Sequence, residues 1–72
     1  MNTKILKKLG ENIKNIRKEK GYTQEYLAEK ISVHPTYIGK IESGKSNPST
    51  ILLFKLSRAL SVTIPTLFKF DE

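Results

Sequence analysis

Side chains able to do chemistry are few in this 72-residue sequence, and the most distinctive set lies between His34 and Lys40. This stretch contains hydroxyl, imidazole and ammonium groups but neither Asp nor Glu. Such groups donate hydrogen bonds and carry positive charge, which suits contact with a polyanion. The formal net charge of +6 and the isoelectric point of about 9.7 also favour an anionic partner.

Catalysis is disfavoured by the residue types that the sequence lacks. The chain has one histidine and no cysteine, which excludes a Cys–His dyad and a zinc site built from cysteines and histidines. A Ser–His–Asp triad would need His34, which lies beside a proline and has no acid near it in the sequence. Gly44-Lys45 lacks the preceding spaced glycine of a nucleotide-binding loop. We therefore expect no enzyme, no metal ion and no cofactor.

Two short helices joined by a tight turn are predicted between Thr23 and Gly44. The hydroxyl of Thr23 can cap the free amides of the first helix, and Ser32-Val33 forms the bend. Pro35 fits the first turn of the second helix because its fixed φ is already helical, and Gly44 ends that helix in a left-handed conformation. The inward faces consist of Leu27, Ala28, Ile31, Ile38 and Ile41. This arrangement is typical of a helix-turn-helix, whose second helix reads DNA.

Three further helices complete an all-α prediction of five helices. The first runs from about Thr3 to Lys20, and Gly10 inside it costs on the order of 1 kcal/mol relative to alanine. The fourth helix is capped by Ser49 and runs to about Ser61, and Thr63 caps a short fifth helix. Because no linker or repeat interrupts the pattern, residues 1–72 are predicted to form a single domain, with the helix-turn-helix at about 23–44.

The size and hydropathy of the chain bear on its assembly and its location. A 72-residue chain buries only roughly 60–65% of the surface that it exposes when unfolded, which favours stabilisation by a second subunit. No apolar run approaches the roughly 18–20 residues that span a bilayer, and residues 1–10 lack the apolar stretch of a signal peptide. We therefore expect a cytoplasmic protein with no membrane partner and no small-molecule substrate.

The pattern resembles the lambda/434-repressor-like family of helix-turn-helix proteins, also called the xenobiotic-response-element type. The resemblance covers about residues 9–68 and rests on Arg17, Gly21, Thr23, Gln24, Leu27, Ala28, Val33, Ile38, Ile41, Glu42, Gly44, Asn47, Pro48, Ser49, Leu53, Leu60, Val62, Leu67 and Phe68. The small size and the segment from His34 to Ile38 are also similar to controller proteins of restriction–modification systems. Those controllers usually have arginine where this chain has Pro35, so that arginine's base contact is not carried over. Small phage and plasmid repressors stay open as alternatives.

The resemblance implies that nine residues contact DNA, namely Gln24, His34, Pro35, Thr36, Tyr37, Lys40, Lys45, Ser46 and Asn47. Gln24 would anchor a phosphate, and the alternative is ordinary solvation at the start of a helix. His34 would either cap the recognition helix or lie beside a phosphate. The loop of residues 45–47 would follow the DNA backbone.

The recognition helix itself would present Thr36, Tyr37 and Lys40 to the major groove. Thr36 would contact a base, whereas Tyr37 would read a base, reach a phosphate or pack against the protein. Lys40 lies one turn beyond Thr36 and would read guanine or contact a phosphate without specificity.

The resemblance also implies an ion pair between Arg17 and Glu42, which would join the first helix to the end of the recognition helix. A bidentate guanidinium–carboxylate contact is the geometry that partial burial requires. The alternative is that both are solvated surface charges.

The sequence therefore predicts a sequence-specific transcription regulator that binds double-stranded DNA as a homodimer on a roughly palindromic operator. The predicted dimer interface consists of Ile51, Leu52, Leu67, Phe68 and Phe70, with Phe70 at its centre. The resemblance implies that one of Leu67 and Phe68 instead packs on the core of its own chain. For Phe70 the alternative is a frayed, solvated tail. The alternative function is a small protein-interaction module that uses the surplus apolar side chains to capture and antagonise a partner regulator.

Overall fold

The computed structural model describes residues 3–70, and this part of the chain is all-α with five helices. In chain order the helices are α1 (Thr3–Glu19), α2 (Gln24–Lys30), α3 (Pro35–Glu42), α4 (Thr50–Ala59) and α5 (Ile64–Leu67). The predicted fold class is confirmed. The predicted domain also includes residues 1, 2, 71 and 72, which lie outside the described residues. Between residues 3 and 70, no helix has the length and apolar character needed to cross a membrane.

Four helices begin at a side-chain cap. The hydroxyl of Thr23 accepts a hydrogen bond from the Tyr26 amide at 3.0 Å, and the hydroxyl of Ser49 accepts one from the Leu52 amide at 3.2 Å. Thr63 caps α5 in the same way. At the start of α3, His34 Nδ1 accepts from the Thr36 amide at 3.1 Å. Each cap satisfies an amide that has no partner within its helix, so these boundaries are fixed locally.

Two helices end slightly earlier than predicted. Helix α1 ends one residue before Lys20, and α4 ends two residues before Ser61. After α1 the chain turns at Gly21, with φ of 76°, and after α4 it turns at Ser61, with φ of 58°. In both turns the next amide bonds back to the last helical turn, as from Val62 to the Ser57 carbonyl at 2.9 Å. A serine in this conformation gives a weaker sequence signal than a glycine, which explains the later predicted end of α4.

One apolar cluster lies between the helices and includes side chains from all five of them. Its buried members are Leu9, Ile13, Ile16, Leu27, Ala28, Ile31, Ile38, Ile41, Leu52, Leu56, Leu60 and Leu67. Helix α3 packs on both α1 and α2, whereas α5 packs on α1 and α4. Helix α1 therefore contacts both α3, the second helix of the helix-turn-helix, and α5, near the end of the described chain.

Gly10 is the residue that lets α1 and α3 approach closely. A Cβ built on Gly10 would lie 2.1 Å from the carbonyl oxygen of Ile41 and 2.8 Å from that of Glu42. Any side chain would push the two helices apart. The sequence predicts only a cost in helix propensity at this position, and the tertiary contact is the reason for the glycine.

Candidate nucleic-acid interface

The outer face of α3 is polar and free of acidic residues. Ile38, Ile41 and Glu42 point inward and are buried, whereas Thr36, Lys40 and Ser43 are exposed. Thr36, Lys40 and Ser43 follow one another at intervals of four and three residues, which places them on one side of a helix. Ser43 is the helix cap and was not among the residues predicted from the sequence. Its spacing from Thr36 and Lys40 is the signal that could have identified it.

The start of α3 contains the other residues predicted to contact DNA. His34 is exposed and its Nδ1 is occupied by the hydrogen bond from Thr36. In a neutral imidazole the proton then lies on Nε2, which stays able to donate. Pro35 is half-buried at the first helical position. Tyr37 is half-buried and packs against the apolar cluster, so its ring supports the helix as well as bordering the outer face.

A buried network holds the end of α3 to α1 and α2. Arg17 donates to Glu42 from Nε to Oε2 at 2.6 Å and from Nη2 to Oε1 at 3.1 Å. The side chains are only 8% and 3% exposed. The third guanidinium nitrogen of Arg17 donates to the carbonyl oxygen of Tyr22 at 2.7 Å. The two bonds between Arg17 and Glu42 form a bidentate ion pair, so the positive charge of Arg17 and the negative charge of Glu42 compensate each other in the interior.

Gln24 extends this network to the surface. Its Nε2 donates to Glu42 Oε1 at 3.0 Å, and the residue is half-buried at the first position of α2. A side-chain amide nitrogen carries two hydrogens, so one donor of Gln24 is used within the protein and the second can serve a ligand. Glu42 thus receives two bonds from Arg17 and one from Gln24, and these contacts fix the orientation of all three side chains.

The loop after α3 begins at Gly44, whose φ is 78°. The amides of Gly44 and Lys45 bond back to the carbonyls of Ile41 and Lys40 at 3.1 and 2.9 Å, which turns the chain sharply. Lys45 and Asn47 are exposed and Ser46 is half-buried.

Lys7 of α1 lies beside this loop, because a Cβ built on Gly44 would be 2.7 Å from both Cα and Cγ of Lys7. Lys7 was not predicted as part of the site. Only the packing of α1 on the end of α3 brings it there, and no spacing in the sequence indicates that contact.

Residues 13–67 match the HTH_3 family, described as helix-turn-helix. The chain belongs to the HTH_3 family. The HTH-type transcriptional regulator SinR of Bacillus subtilis (strain 168) is 45% identical over 60 residues, which cover 82% of this chain and 54% of SinR. The chain thus spans about half the length of this relative.

Two solved structures of controller proteins are similar to the whole arrangement of helices. The restriction-modification controller C.AhdI from Aeromonas hydrophila has a TM-score of 0.85 and 35% identity, covering 88% of this chain and 96% of C.AhdI. The controller C.Esp1396I, solved as a tetramer with its natural 35 base-pair operator, has a TM-score of 0.80 and 38% identity. That match covers 90% of this chain and 86% of C.Esp1396I. The predicted resemblance, including the similarity to controller proteins, is confirmed, and these relatives are regulators rather than enzymes.

This HTH_3 chain also has exposed apolar side chains on α4 and after α5. Ile51 is 67% exposed, Phe54 50% and Phe68 40%. The rings of Phe68 and Phe70 lie 6.4 Å apart, but Phe70 is half-buried and packs against the apolar cluster. Phe54 was not among the predicted interface residues.

Two of the predicted dimer-interface residues belong to the core of the single chain. Leu52 is 8% exposed and Leu67 is fully buried. Because these side chains already contact their own chain, they have almost no surface left for a partner. The interpretation of both as interface residues is therefore corrected, and Ile51, Phe54 and Phe68 are the exposed apolar side chains on α4 and after α5.

Proposed function

We propose that this HTH_3 protein is a sequence-specific transcription regulator that binds double-stranded DNA, as a homodimer on a roughly palindromic operator. The observation that carries the proposal is the exposed, acid-free face of α3, whose inner side is fixed by buried isoleucines and the Arg17–Glu42 pair. The operator complex of the similar controller C.Esp1396I supports the same role. The proposal assigns the protein to the cytoplasm and gives it no catalytic activity.

In the proposed complex, α3 lies in the major groove and its outer face meets the base edges. Thr36 offers a hydroxyl and a methyl group, and Lys40 offers three donors that suit guanine O6 and N7. Ser43 lies on the same face, one turn further along. Because Thr36 carries no charge, a contact of its side chain with a base edge would contribute to sequence preference without adding to the electrostatic affinity for DNA of any sequence.

The phosphate contacts in this proposal flank the recognition helix. The Nε2 proton of His34 is a donor at the start of α3, and the second amide hydrogen of Gln24 is a donor beside Gly39 and Glu42, in the later half of α3. Lys45 lies in the loop after α3, and Lys7 is held against that loop by the contact with Gly44. Lys7 and Lys45 are far apart in the sequence, and the fold places both positive charges beside this loop.

The dimer in this proposal is formed by the exposed apolar side chains of Ile51, Phe54 and Phe68. Two recognition helices must lie about 34 Å apart to enter successive major grooves on one face of the duplex. An interface on the α4 and α5 side would leave both α3 helices uncovered, and it would fix their separation. Restriction–modification control is the more specific form of the proposal, and it rests on the similarity to the controller C.AhdI.

A binding selection tests the proposed function. The wild-type protein is incubated with a library of random duplexes, bound DNA is amplified over several rounds, and the selected sequence is measured beside a scrambled duplex by fluorescence anisotropy. We expect a two-fold-symmetric consensus. Thr36→Ala should weaken binding to the consensus while leaving binding to scrambled DNA nearly unchanged. If no consensus emerges and no duplex from upstream of the protein's own gene is retarded in a gel, the protein-interaction alternative is favoured.

A further inference from the structure

Three of the four glycines in the chain are explained by the fold. Gly21 and Gly44 have φ of 76° and 78°, a left-handed conformation that other residues adopt at a cost. Gly10 has no room for a side chain, since its Cβ would meet the carbonyl oxygen of Ile41. In each case a substitution would strain the backbone or separate two helices.

Neither a positive φ nor a lack of room for a side chain explains the glycine at position 39. It lies inside α3 and is not among the residues with positive φ. Within the described residues, a Cβ built on Gly39 would meet only the side chain of Gln24, at 3.8 Å from Oε1 and 3.9 Å from Nε2, which are ordinary van der Waals distances. After proline, glycine is the least favourable residue in a helix interior. The recognition helix therefore carries a destabilising residue that the surrounding protein does not require.

The position of Gly39 indicates what does require it. It lies three residues after Thr36 and four before Ser43, so it borders the outer face of α3. On its other side is the amide of Gln24, which the hydrogen bond to Glu42 holds in place. Gly39 thus lies between the side chain of Gln24 and the outer face of α3, and it is half-buried there.

We propose that Gly39 is a close-approach position for DNA, where the backbone of the recognition helix lies against the sugar–phosphate strand that passes between Gln24 and Thr36. A side chain at this position would hold α3 away from the duplex and lift Thr36 and Lys40 from the base edges. Gly39 thereby sets the depth of α3 in the major groove and acts as a specificity-determining residue. This inference rests on the proposed DNA-binding function.

The substitution Gly39→Ala tests the inference, because its two expected effects have opposite consequences. In the free protein the added methyl group meets no clash and favours the helix, so the melting temperature should rise by about 4 °C in circular dichroism. In the complex the same methyl group overpacks a close contact. The dissociation constant for the selected duplex should therefore increase about 10-fold or more. Binding to a scrambled duplex of equal length should change less, because a loosely docked complex tolerates the methyl group.

Ser61→Gly is the matched control, since it should also raise the melting temperature, by relieving a left-handed serine on the α4–α5 connection. It should leave the affinity for DNA unchanged. The inference is overturned if Gly39→Ala lowers the melting temperature, which would show that the fold needs glycine. It is equally overturned if the variant is more stable and binds the selected duplex as tightly as wild type. A wild-type protein that selects no duplex would instead refute the proposed function itself.

Discussion

Helix α1 holds the C-terminal ends of two other helices, and it does so with different chemistry on its two sides. On one side Arg17 binds Glu42 at the end of α3 through a buried ion pair. On the other side Asn12 Nδ2 donates to the carbonyl oxygens of Thr66 and Leu67 at the end of α5, at 3.0 and 2.7 Å. The first contact positions the proposed DNA-binding face, and the second positions the segment that contains Phe68.

The two contacts of α1 differ in how tightly they fix the surface that each one positions. A buried charge pair tolerates little displacement, because either partner left alone would be an uncompensated charge in the interior. A neutral amide that donates to two carbonyls contributes less and adjusts more easily. We therefore infer that the orientation of α3 is strongly constrained within the chain, whereas the α5 segment can adjust to a second subunit in the proposed dimer.

The largest expected effect is that of Glu42→Ala. Removing the carboxylate leaves Arg17 without its buried partner, so the free energy of unfolding should fall by roughly 3 kcal/mol. The midpoint of urea unfolding measures this loss. Glu29→Ala removes an exposed acid from α2 and should change stability by less than about 0.5 kcal/mol. A similar small loss for Glu42→Ala would mean that the Arg17–Glu42 pair is effectively solvated. Helix α1 would then hold α3 no more tightly than it holds α5.

Phe68→Asp tests the apolar side. Phe68 is 40% exposed in the single chain. If this exposed part of Phe68 is buried in both subunits of a dimer, the dimer should be stabilised by about 2 kcal/mol in total. We expect the dimer dissociation constant to rise about 30-fold or more in sedimentation equilibrium, with the helical signal unchanged. Phe70→Asp is a poorer test, because Phe70 also packs against the apolar cluster.

Ile5→Asp is the control for this dimer test, since Ile5 is exposed to a similar degree, 42%, and lies on α1. It should leave the association constant unchanged. Dimers of equal strength for wild type and Phe68→Asp would move the interface away from the α5 segment.

Asn12→Ala should have a smaller effect on stability, about 1 kcal/mol, because two carbonyl groups lose a neutral donor. Its second effect distinguishes the two sides of α1. Dimerisation should weaken, since the segment bearing Phe68 loses its anchor, while the affinity of a single subunit for a half-site should stay the same. Urea unfolding and anisotropy with half-site and full-site duplexes provide the measurements. Asn15→Ala, an exposed position on the same helix, should change none of them.

Lys7→Ala has the smallest expected effect on folding and tests whether the α3 side of α1 contributes to DNA binding. The loss of one phosphate contact should reduce the slope of log affinity against log salt by about one unit, on selected and scrambled DNA alike. Lys20→Ala removes an equal charge after the end of α1 and should leave the slope unchanged. Equal slopes for Lys7→Ala and wild type would place the DNA backbone away from the loop at Gly44.

The features that could be predicted from the sequence are those with local causes. Thr23, Ser49 and Thr63 cap helices through bonds within three residues, so residue type and spacing suffice to locate them. The contacts of Gly10 and Lys7 arise between segments that are more than thirty residues apart in the chain. No periodicity indicates such contacts.

The burial of Leu52 escaped prediction for a related reason, and so did the choice of Leu67 rather than Phe68 as the side chain that packs on its own chain. Helical spacing shows that apolar side chains share a face, but it does not show whether the neighbour is the same chain or a second copy. The packing of α4 and α5 against the rest of the chain decides this, and it covers both leucines.

The turn between α2 and α3 contains Ser32 at φ of 60°. L-residues other than glycine adopt this left-handed conformation at a cost of roughly 1–2 kcal/mol, part of which glycine would recover. The protein therefore keeps an unused reserve of stability next to α3. In an evolving lineage, a change at this serine compensates for destabilising substitutions on the outer face of α3, and under the proposed function new operator preferences then become accessible without loss of the fold.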